Sequence, residues 1–251
     1  MIVPQTLVTT SWDDGHPLDL RVADMLARHV MTGTFFAPLR NQTRPRLSAG
    51  DLRRLSDGGF EIGSHGMLHR NLLAVPQREL RWEIADSKSE LVQLIDRRVS
   101  LFCYPIGRYN PEIIRQVERA GYDGARTIRM LCTRADFHPL HVPTTIQAYR
   151  HTPSAYLRNL LRRSGVRDLV DYCVSFRNCS SWVELGCRLF DRVLREGGVW
   201  HLYGHSWEID EHGLWGELEQ MLQYVAGRPE VRYVRTVDTL SSNSVCLPQI
   251  A

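Results

Sequence analysis

Short apolar runs alternate with amphipathic stretches along the chain, and this alternation predicts strands that alternate with helices. Strands are predicted at residues 7–10, 33–37, 60–64, 99–104, 124–127, 144–146, 199–203 and 231–234. Between them, apolar positions at helical spacing predict helices, including a long one after Pro76 and an interrupted stretch from Pro153 to Glu196. Such alternation is typical of an α/β fold with a mostly parallel sheet.

Two α/β architectures fit this pattern, a parallel barrel and a doubly wound sheet. About seven βα units and the lack of a glycine-rich phosphate loop favour the barrel. The length of 251 residues is normal for one such domain, and no repeat or linker-like stretch divides the chain. We therefore predict a single barrel domain over residues 1–251.

Polar residues gather just after several predicted strands, at Asp13 and Asp14, at His65, at residues 104–107 and at His205. Loops that follow the strands of a parallel barrel share one face, so these residues are expected to meet. Two adjacent carboxylates repel each other and are costly to desolvate unless a cation lies beside them or one of them acts as a base. A solvated Asp-Asp-Gly turn is the alternative interpretation.

Asp14, His65 and His69 together form a candidate metal site. Imidazole nitrogen and carboxylate oxygen suit Zn²⁺, and also Co²⁺, Ni²⁺ or Fe²⁺. Three protein ligands leave positions open for water and substrate, which is the arrangement of a catalytic site. The chain has ten histidines, however, so an i,i+4 pair can arise by chance, and His201 and His205 form a second one.

The residues around this candidate site suggest hydrolysis of an amide or ester without a covalent intermediate. Asp13 is placed to take a proton from water, and His205 is the best candidate for the acid that protonates the leaving amine. The neighbouring Gly204, Trp207 and Glu208 favour a functional His205, because an exposed tryptophan can stack on a sugar ring. A histidine packed in the core is the alternative.

The composition narrows the possible partners. The formal net charge is +3 and the basic residues are scattered, so nucleic acid is not expected as a partner. The first residues resemble no signal peptide and no run is long enough to span a bilayer, so we expect a cytoplasmic protein with reduced cysteines. A disulfide among Cys173, Cys179 and Cys187 stays open, and the oligomeric state is not predicted.

In chain order, these segments resemble the motifs of the polysaccharide deacetylase family, the NodB-homology or carbohydrate esterase family 4 group. Residues 11–15 are similar to its first motif, T-F-D-D-G, and residues 65–69 to its second, H-[S/T]-x-x-H. Residues 103–107 are similar to the third motif, R-x-P-Y-G, and residues 199–205 to the fifth, a strand that ends in histidine. The resemblance extends from Thr9 to about Trp207.

The resemblance implies a distorted (β/α)7 barrel and a division of roles among the site residues. Asp13 would be the base, Asp14 a metal ligand beside the two histidines of the second motif, and the backbone amide of Ile106 an oxyanion donor. The residues that we expect to contact substrate are Tyr104, Pro105, Ile106, Arg126 and Trp207.

The chain departs from the family pattern at three places. Gly66 replaces a hydroxyl residue that braces the histidine loop, and Cys103 stands where many members have the arginine that orients the base. The fourth motif, with its Asp and Trp, is not recognisable. Arg126, after a predicted strand, either substitutes for the missing arginine or is an ordinary surface arginine.

The resemblance implies a metal-dependent hydrolase that removes an N-acetyl group from an amino sugar, either free or attached to a nucleotide, lipid or small metabolite, and releases acetate. Two alternatives remain. Residues 204–208 are also similar to the H-P-W-E segment of the allantoinase-like branch, which suggests hydrolysis of a non-sugar amide or imide. The departures from the motifs suggest a non-catalytic barrel that binds a glycan or another partner.

Overall fold

The computed structural model describes residues 5–40, 43–164, 166–176, 179 and 181–240. One parallel sheet of eight strands forms its centre. The strands are β1 (Thr6–Trp12), β2 (Thr34–Ala37), β3 (Glu61–Ser64), β4 (Leu101–Cys103), β5 (Gly124–Arg126), β6 (Ile146–Gln147), β7 (Gly198–Gly204) and β8 (Val231–Tyr233).

The strands follow the order β5-β4-β3-β2-β1-β7-β6, and β8 pairs with β1. One edge of β1 pairs with β7 over its whole length, and its other edge is divided between β8 near the start and β2 near the end. The curled parallel sheet with surrounding helices is a distorted (β/α)7 barrel, which confirms the predicted fold class.

Helices connect the strands and cover the outside of the sheet. They are α1 (Asp19–Arg28), α2 (Ala49–Asp57), α3 (Gln77–Arg81), α4 (Ser87–Ile95), α5 (Pro111–Arg119), α6 (Pro153–Arg163), α7 (Val166–Asp171), α8 (Trp182–Glu196), α9 (Ser206–Glu211) and α10 (Trp215–Val225). At the start of two of these helices, a side chain accepts a hydrogen bond from a backbone amide of the first turn. Ser48 and Asp51 form a capping box at α2, and the Asn110 side chain accepts a hydrogen bond from the Ile113 amide in front of α5.

The long helix predicted after Pro76 contains one irregularity. Residues Trp82–Asp86 form a π-helical turn between α3 and α4, although helical backbone is continuous from Gln77 to Ile95. A π-turn inserts one extra residue per turn and so changes which side chains face inward. It occurs here beside the candidate site, at the buried Glu83.

Large apolar side chains fill the space between the sheet and the helices. Trp12, Phe35, Phe102 and Trp200 are fully buried in one continuous core. Polar side chains on the strands are paired inside this core. His201, for example, contacts the Pro143 carbonyl through Nδ1 (3.0 Å) and Ser11 Oγ through Nε2 (2.9 Å). His201 is therefore a paired core histidine rather than part of a second metal-binding pair.

The structure differs from the sequence-based expectations in small ways. Each predicted strand is present with its bounds shifted by a few residues, whereas the short helix α9 directly after β7 was not predicted. Among the described residues, the cysteines are free thiols, which answers the open disulfide question for Cys173, Cys179 and Cys187. No helix in the described part of the chain has both the length and the apolarity needed to cross a bilayer.

Candidate active site

The candidate active site lies where the carboxyl ends of the strands meet. Asp13 and Asp14 follow β1, His65 follows β3 and His205 follows β7, while Cys103 and Arg126 are the last residues of β4 and β5. Residues separated by nearly two hundred positions are thereby brought together, as the parallel barrel predicts.

The three candidate metal ligands converge on one point. Asp14 Oδ1 lies 3.7 Å from His65 Nε2 and 3.3 Å from His69 Nε2. The ligand atoms of all three residues lie within 4.8 Å of one another. Asp14 and His65 are buried, and His69 is partly exposed, which leaves one side open to solvent.

The chemistry of these three residues fits a divalent cation. Asp14 Oδ1 is buried and has no hydrogen-bond partner, which is costly for a carboxylate oxygen unless a cation binds it. His65 Nδ1 contacts the Cys103 carbonyl at 2.9 Å, so its Nε2 faces Asp14. Burial and the nearby His69 lower the pKa of His65 to about 4, although Asp13 and Asp14 oppose this change. The imidazole is therefore neutral at pH 7 and its Nε2 can coordinate a cation.

The loop that carries the two histidines is held by a buried carboxylate. Glu83, in the π-turn, accepts hydrogen bonds from the backbone amides of Met67 (2.8 Å) and Leu68 (3.0 Å) through Oε2. Its other oxygen accepts a bond from Arg70 Nε at 2.5 Å. Gly66 has φ +82°, and a Cβ added there would lie 3.1 Å from Glu83 Oε2. Glycine thus gives the loop this conformation, and Glu83 braces it in place of the expected hydroxyl.

Removing this brace should weaken metal binding. We expect Glu83→Ala to lower metal affinity by about 10- to 100-fold, because the loop amides of Met67 and Leu68 lose their acceptor and the histidines lose their fixed orientation. Competition with a chromophoric chelator measures the affinity. Glu79→Ala is the matched control, since Glu79 also binds Arg70 (2.9 Å) but accepts no bond from the loop amides. Equal affinities in folded Glu83→Ala and Glu79→Ala would contradict the bracing role.

Asp13 is buried next to a fully buried arginine. Arg126 donates from its guanidinium to Asp13 Oδ2, and His205 Nε2 lies 3.9 Å from the same oxygen. Burial alone would raise the pKa of Asp13, but the charges of Arg126, His65 and His205 outweigh it and hold the pKa at about 2. Asp13 is therefore ionised and faces the metal ligands from one side.

The contact between Arg126 and Asp13 decides between the two interpretations of this arginine. The surface alternative is wrong, because Arg126 has no exposed area and its guanidinium contacts the Asp13 carboxylate. The side chain also lies 4.9 Å from the centre of the Tyr203 ring. Arg126 thus reaches Asp13 from β5, whereas the family pattern places an arginine at position 103, on β4.

His205 is oriented by the short helix that follows it. Its Nδ1 lies 3.2 Å from Glu208 Oε2, one helical turn further on, and Gln147 Nε2 donates to the same carboxylate oxygen at 3.0 Å. Burial lowers the pKa of His205, but the Glu208 bond and the carboxylates of Asp13 and Asp14 raise it above its ordinary value overall. Nε2, the other ring nitrogen, points toward Asp13.

Trp207 contacts Asp14, one of the three candidate metal ligands. Its Nε1 donates to Asp14 Oδ2 at 2.9 Å, which leaves the second carboxylate oxygen facing the histidines. One face of its ring is covered by Arg44, whose guanidinium carbon lies 3.3 Å from the ring centre. Trp207 therefore orients Asp14, and its predicted contact with substrate stays a prediction.

Residues 104–107 form a tight turn after β4. Tyr104 is buried, stacks on Tyr109 with ring centres 4.4 Å apart and donates to the Leu140 carbonyl at 3.2 Å. Pro105 is buried and Ile106 is exposed, with an unusual φ of +58°. The Tyr104 side chain therefore supports the turn from beneath. The predicted contacts of Tyr104, Pro105 and Ile106 with substrate stay predictions.

Comparison of the sequence with known proteins identifies related proteins. The sequence profile described as polysaccharide deacetylase matches residues 2–125. YxkH of Bacillus subtilis, assigned as a polysaccharide deacetylase, is 26% identical over 117 residues, 46% of this chain and 42% of YxkH. The peptidoglycan-N-acetylmuramic acid deacetylase PdaA of the same species is 27% identical over 106 residues, 41% of this chain and 38% of PdaA. Residues 2–125 of the chain belong to the polysaccharide deacetylase family.

The matched segments span only about two fifths of the length of both curated relatives. The fold match is more extensive. A solved structure from Mycobacterium smegmatis, assigned as a polysaccharide deacetylase, aligns with a TM-score of 0.70 and covers 97% of this chain and 91% of that chain at 14% identity. The Xyl-CE4 domain of a xylanase from the hindgut metagenome of Trinervitermes trinervoides aligns with a TM-score of 0.57 at 14% identity, covering 95% and 91% of the two chains.

Two carboxylates of the candidate active site, Glu83 and Glu208, have no role assigned from the sequence. Glu83 lies within the apolar stripe formed by Leu80, Ile84 and Leu91, and a charged residue in such a stripe is a usable signal. Glu208 follows His205 by three residues, and the unpredicted helix α9 brings the two side chains together. In both cases the local helix geometry had to be known first.

Proposed function

We propose that this chain is a metal-dependent deacetylase that hydrolyses the N-acetyl group of an amino sugar within a glycan or a glycan precursor and releases acetate. The observation that carries the proposal is the convergence of three candidate ligands, Asp14, His65 and His69, with an ionised Asp13 and a partly exposed His205 beside them. Family membership favours a carbohydrate substrate.

Asp14, His65 and His69 would hold the divalent cation, and Zn²⁺ suits their donor atoms best, with Co²⁺, Ni²⁺ and Fe²⁺ as alternatives. A cation bound there polarises the acyl carbonyl and lowers the pKa of water. Trp207 and Glu83 act through the ligands, because Trp207 holds Asp14 Oδ2 and Glu83 holds the histidine loop.

Proton transfer is the work of Asp13 and His205. Asp13 is ionised and accepts the proton of the attacking water, while Arg126 keeps its carboxylate in position. The raised pKa of His205 favours its protonated form, and in this proposal His205 delivers the proton from Nε2 to the leaving amine. We assign the oxyanion contact to the backbone amide of Ile106, which lies in the exposed turn after β4.

Glu208 should set the alkaline limit of the reaction. A general acid works only while it is protonated, so activity falls as the pH rises through the pKa of His205. Glu208→Gln removes a carboxylate that raises this pKa, and we expect the alkaline limb of the kcat/KM profile to move to lower pH. The acid limb should stay in place. Glu211→Gln is the control, since Glu211 on the same helix pairs with Arg44 instead. An unmoved alkaline limb would refute the role of Glu208.

Acetate release from N-acetylated oligosaccharides of glucosamine and muramic acid, and from the corresponding nucleotide-linked sugars, tests the proposed function. Cyclic amides and imides belong in the same panel, because they represent the allantoinase-like alternative. The proposal requires acetate release that is lost on chelation and restored by a divalent metal. Turnover of the cyclic amides alone, or binding of glycans without turnover in any metal, would contradict it. A cytoplasmic location stays a prediction that fractionation of the native protein tests.

A further inference from the structure

A second group of metal-binding atoms overlaps the first. Cys103 Sγ lies 3.9 Å from each carboxylate oxygen of Asp13 and 4.0 Å from His65 Nε2. All three side chains are buried, and their ligand atoms lie within 4.8 Å of one another. The two groups share His65, which therefore cannot serve two cations through the same nitrogen.

The arrangement of these three side chains fits a small cation with soft character. Ligand atoms around a four-coordinate zinc lie roughly 3.3–3.6 Å apart when its usual bond lengths are used. The separations of Cys103 Sγ from Asp13 and from His65 Nε2 would therefore need to shorten by only a few tenths of an ångström. Arg126 donates its hydrogen bond to Asp13 Oδ2, so Asp13 Oδ1 remains available to bind a cation. The bond from His65 Nδ1 to the Cys103 carbonyl keeps Nε2 directed at the thiol.

The charges nearby select among cations. The positive charge of Arg126 repels any cation placed beside Asp13. For a hard ion such as Mg²⁺, the binding free energy from the remaining oxygen and nitrogen ligands is too small to offset this repulsion. A thiophilic ion gains a sulfur bond as well, and its binding displaces the thiol proton of Cys103 to solvent. The position therefore favours Cd²⁺ and excess Zn²⁺ over Mg²⁺ and Ca²⁺.

We propose that Asp13, His65 and Cys103 form a second, thiol-containing position for soft divalent cations. A cation in this position binds Asp13, the proposed base, and His65, which the first position also needs. Its binding therefore inhibits the enzyme. The expected inhibition rests on the proposed deacetylase activity, whereas the bond between the cation and Cys103 Sγ does not depend on that activity. Cysteine at the position of the family arginine thus makes the site sensitive to thiophilic metals.

Titration of metal-free protein with Cd²⁺ and with Co²⁺ tests the site through the sulfur-to-metal charge-transfer band in the ultraviolet. The wild type should develop this band, and Cys103→Ser should lack the part that belongs to the site. The Cd²⁺ affinity of Cys103→Ser should fall by more than the roughly 10- to 100-fold that loss of an outer-shell partner costs a metal site. Cys132→Ser, which removes a buried thiol that makes no contact with Asp13, His65 or Cys103, should behave as the wild type.

Several outcomes would overturn the proposal. A band of equal intensity in wild type and Cys103→Ser would assign the sulfur bond to other cysteines, and no band in the wild type would show that Cys103 binds no metal. If Cys103→Ser does not fold, Cys103→Ala provides the same comparison. Relief of Cd²⁺ inhibition in Cys103→Ser is the activity test. A protein without deacetylase activity can still show the band, so the two proposals fail separately.

Discussion

Replacing Asp13 with asparagine should lower kcat by about 10²- to 10⁴-fold, the range that loss of a general base usually costs. Asparagine has nearly the same shape and can still accept a bond from Arg126, but its amide cannot take a proton from water. Asp13 belongs only to the group with His65 and Cys103 and not to the proposed catalytic ligands Asp14, His65 and His69. The one ion bound at the catalytic position should therefore be retained. Steady-state kinetics and metal analysis of the same preparation measure both.

Asp24→Asn is a suitable control for the loss of one negative charge, because Asp24 is an exposed residue on α1. It should retain wild-type kinetics. An Asp13→Asn protein that stays folded, binds one metal ion and keeps kcat within tenfold of the wild type would exclude Asp13 as the base.

Replacing Arg126 with glutamine should destabilise the metal-free protein by about 3–5 kcal/mol at pH 7, because a buried carboxylate then loses its charged partner. Arg126 and Asp13 are both buried and in direct contact, so solvent does not screen their interaction appreciably. Arg129→Gln is the matched control. Its partner Asp168 keeps a second arginine, Arg134, at 3.0 Å, and the loss of stability should be smaller.

The loss should depend on pH in a definite direction. The pKa of Asp13 in the folded protein is about 2, below its ordinary value, so the stability it contributes is present at neutral pH and is lost as the pH falls toward 2. Without Arg126, burial raises this pKa, and the carboxyl group is protonated at a higher pH. Denaturant unfolding from pH 7 to pH 3 should therefore show the difference between wild type and Arg126→Gln becoming smaller. A constant difference would contradict the assigned ion pair.

The part of the site that follows strand ends could be predicted from sequence. Asp13, Asp14, His65 and His205 each follow an apolar run that forms a strand, and parallel strands bring their carboxyl ends to one face. The fold class was predictable for the same reason, since the repeat of strand and helix limits the topology. Periodicity alone was sufficient for these elements.

The supporting contacts could not be predicted, because each depends on where a helix lies in three dimensions. Glu83 reaches the histidine loop from a π-turn that no spacing rule indicates, and Glu208 reaches His205 through a helix of six residues. Asp14, His69 and Ile106 adopt positive φ values, which are rare for residues other than glycine and cluster at functional sites. In the sequence, the only sign of these conformations is a nearby glycine, at Gly15, Gly66 and Gly107.

Two of the three departures from the family motifs, at Cys103 and Gly66, have a charged side chain from another element at the affected place. Arg126 contacts Asp13 from β5, and Glu83 braces the loop around Gly66. In addition, Glu208 contacts the nitrogen of His205 that faces away from Asp13. Each of these three side chains lies within hydrogen-bond distance of its target. The chain therefore retains an ordered site despite its divergent motifs, which argues for catalysis over a non-catalytic barrel that only binds a glycan or another partner.

Metal binding by defined variants tests the central claim most directly. Metal-stripped wild-type protein, titrated with Zn²⁺ and analysed by calorimetry and elemental analysis, should bind one ion tightly per chain. Asp14→Ala and His69→Ala should abolish that binding, whereas His29→Ala should retain it, because His29 pairs with Glu219 at 2.7 Å and belongs to neither group of candidate ligands. Unchanged binding in Asp14→Ala and His69→Ala, or a wild type that binds none of Zn²⁺, Co²⁺ and Ni²⁺, would contradict the account.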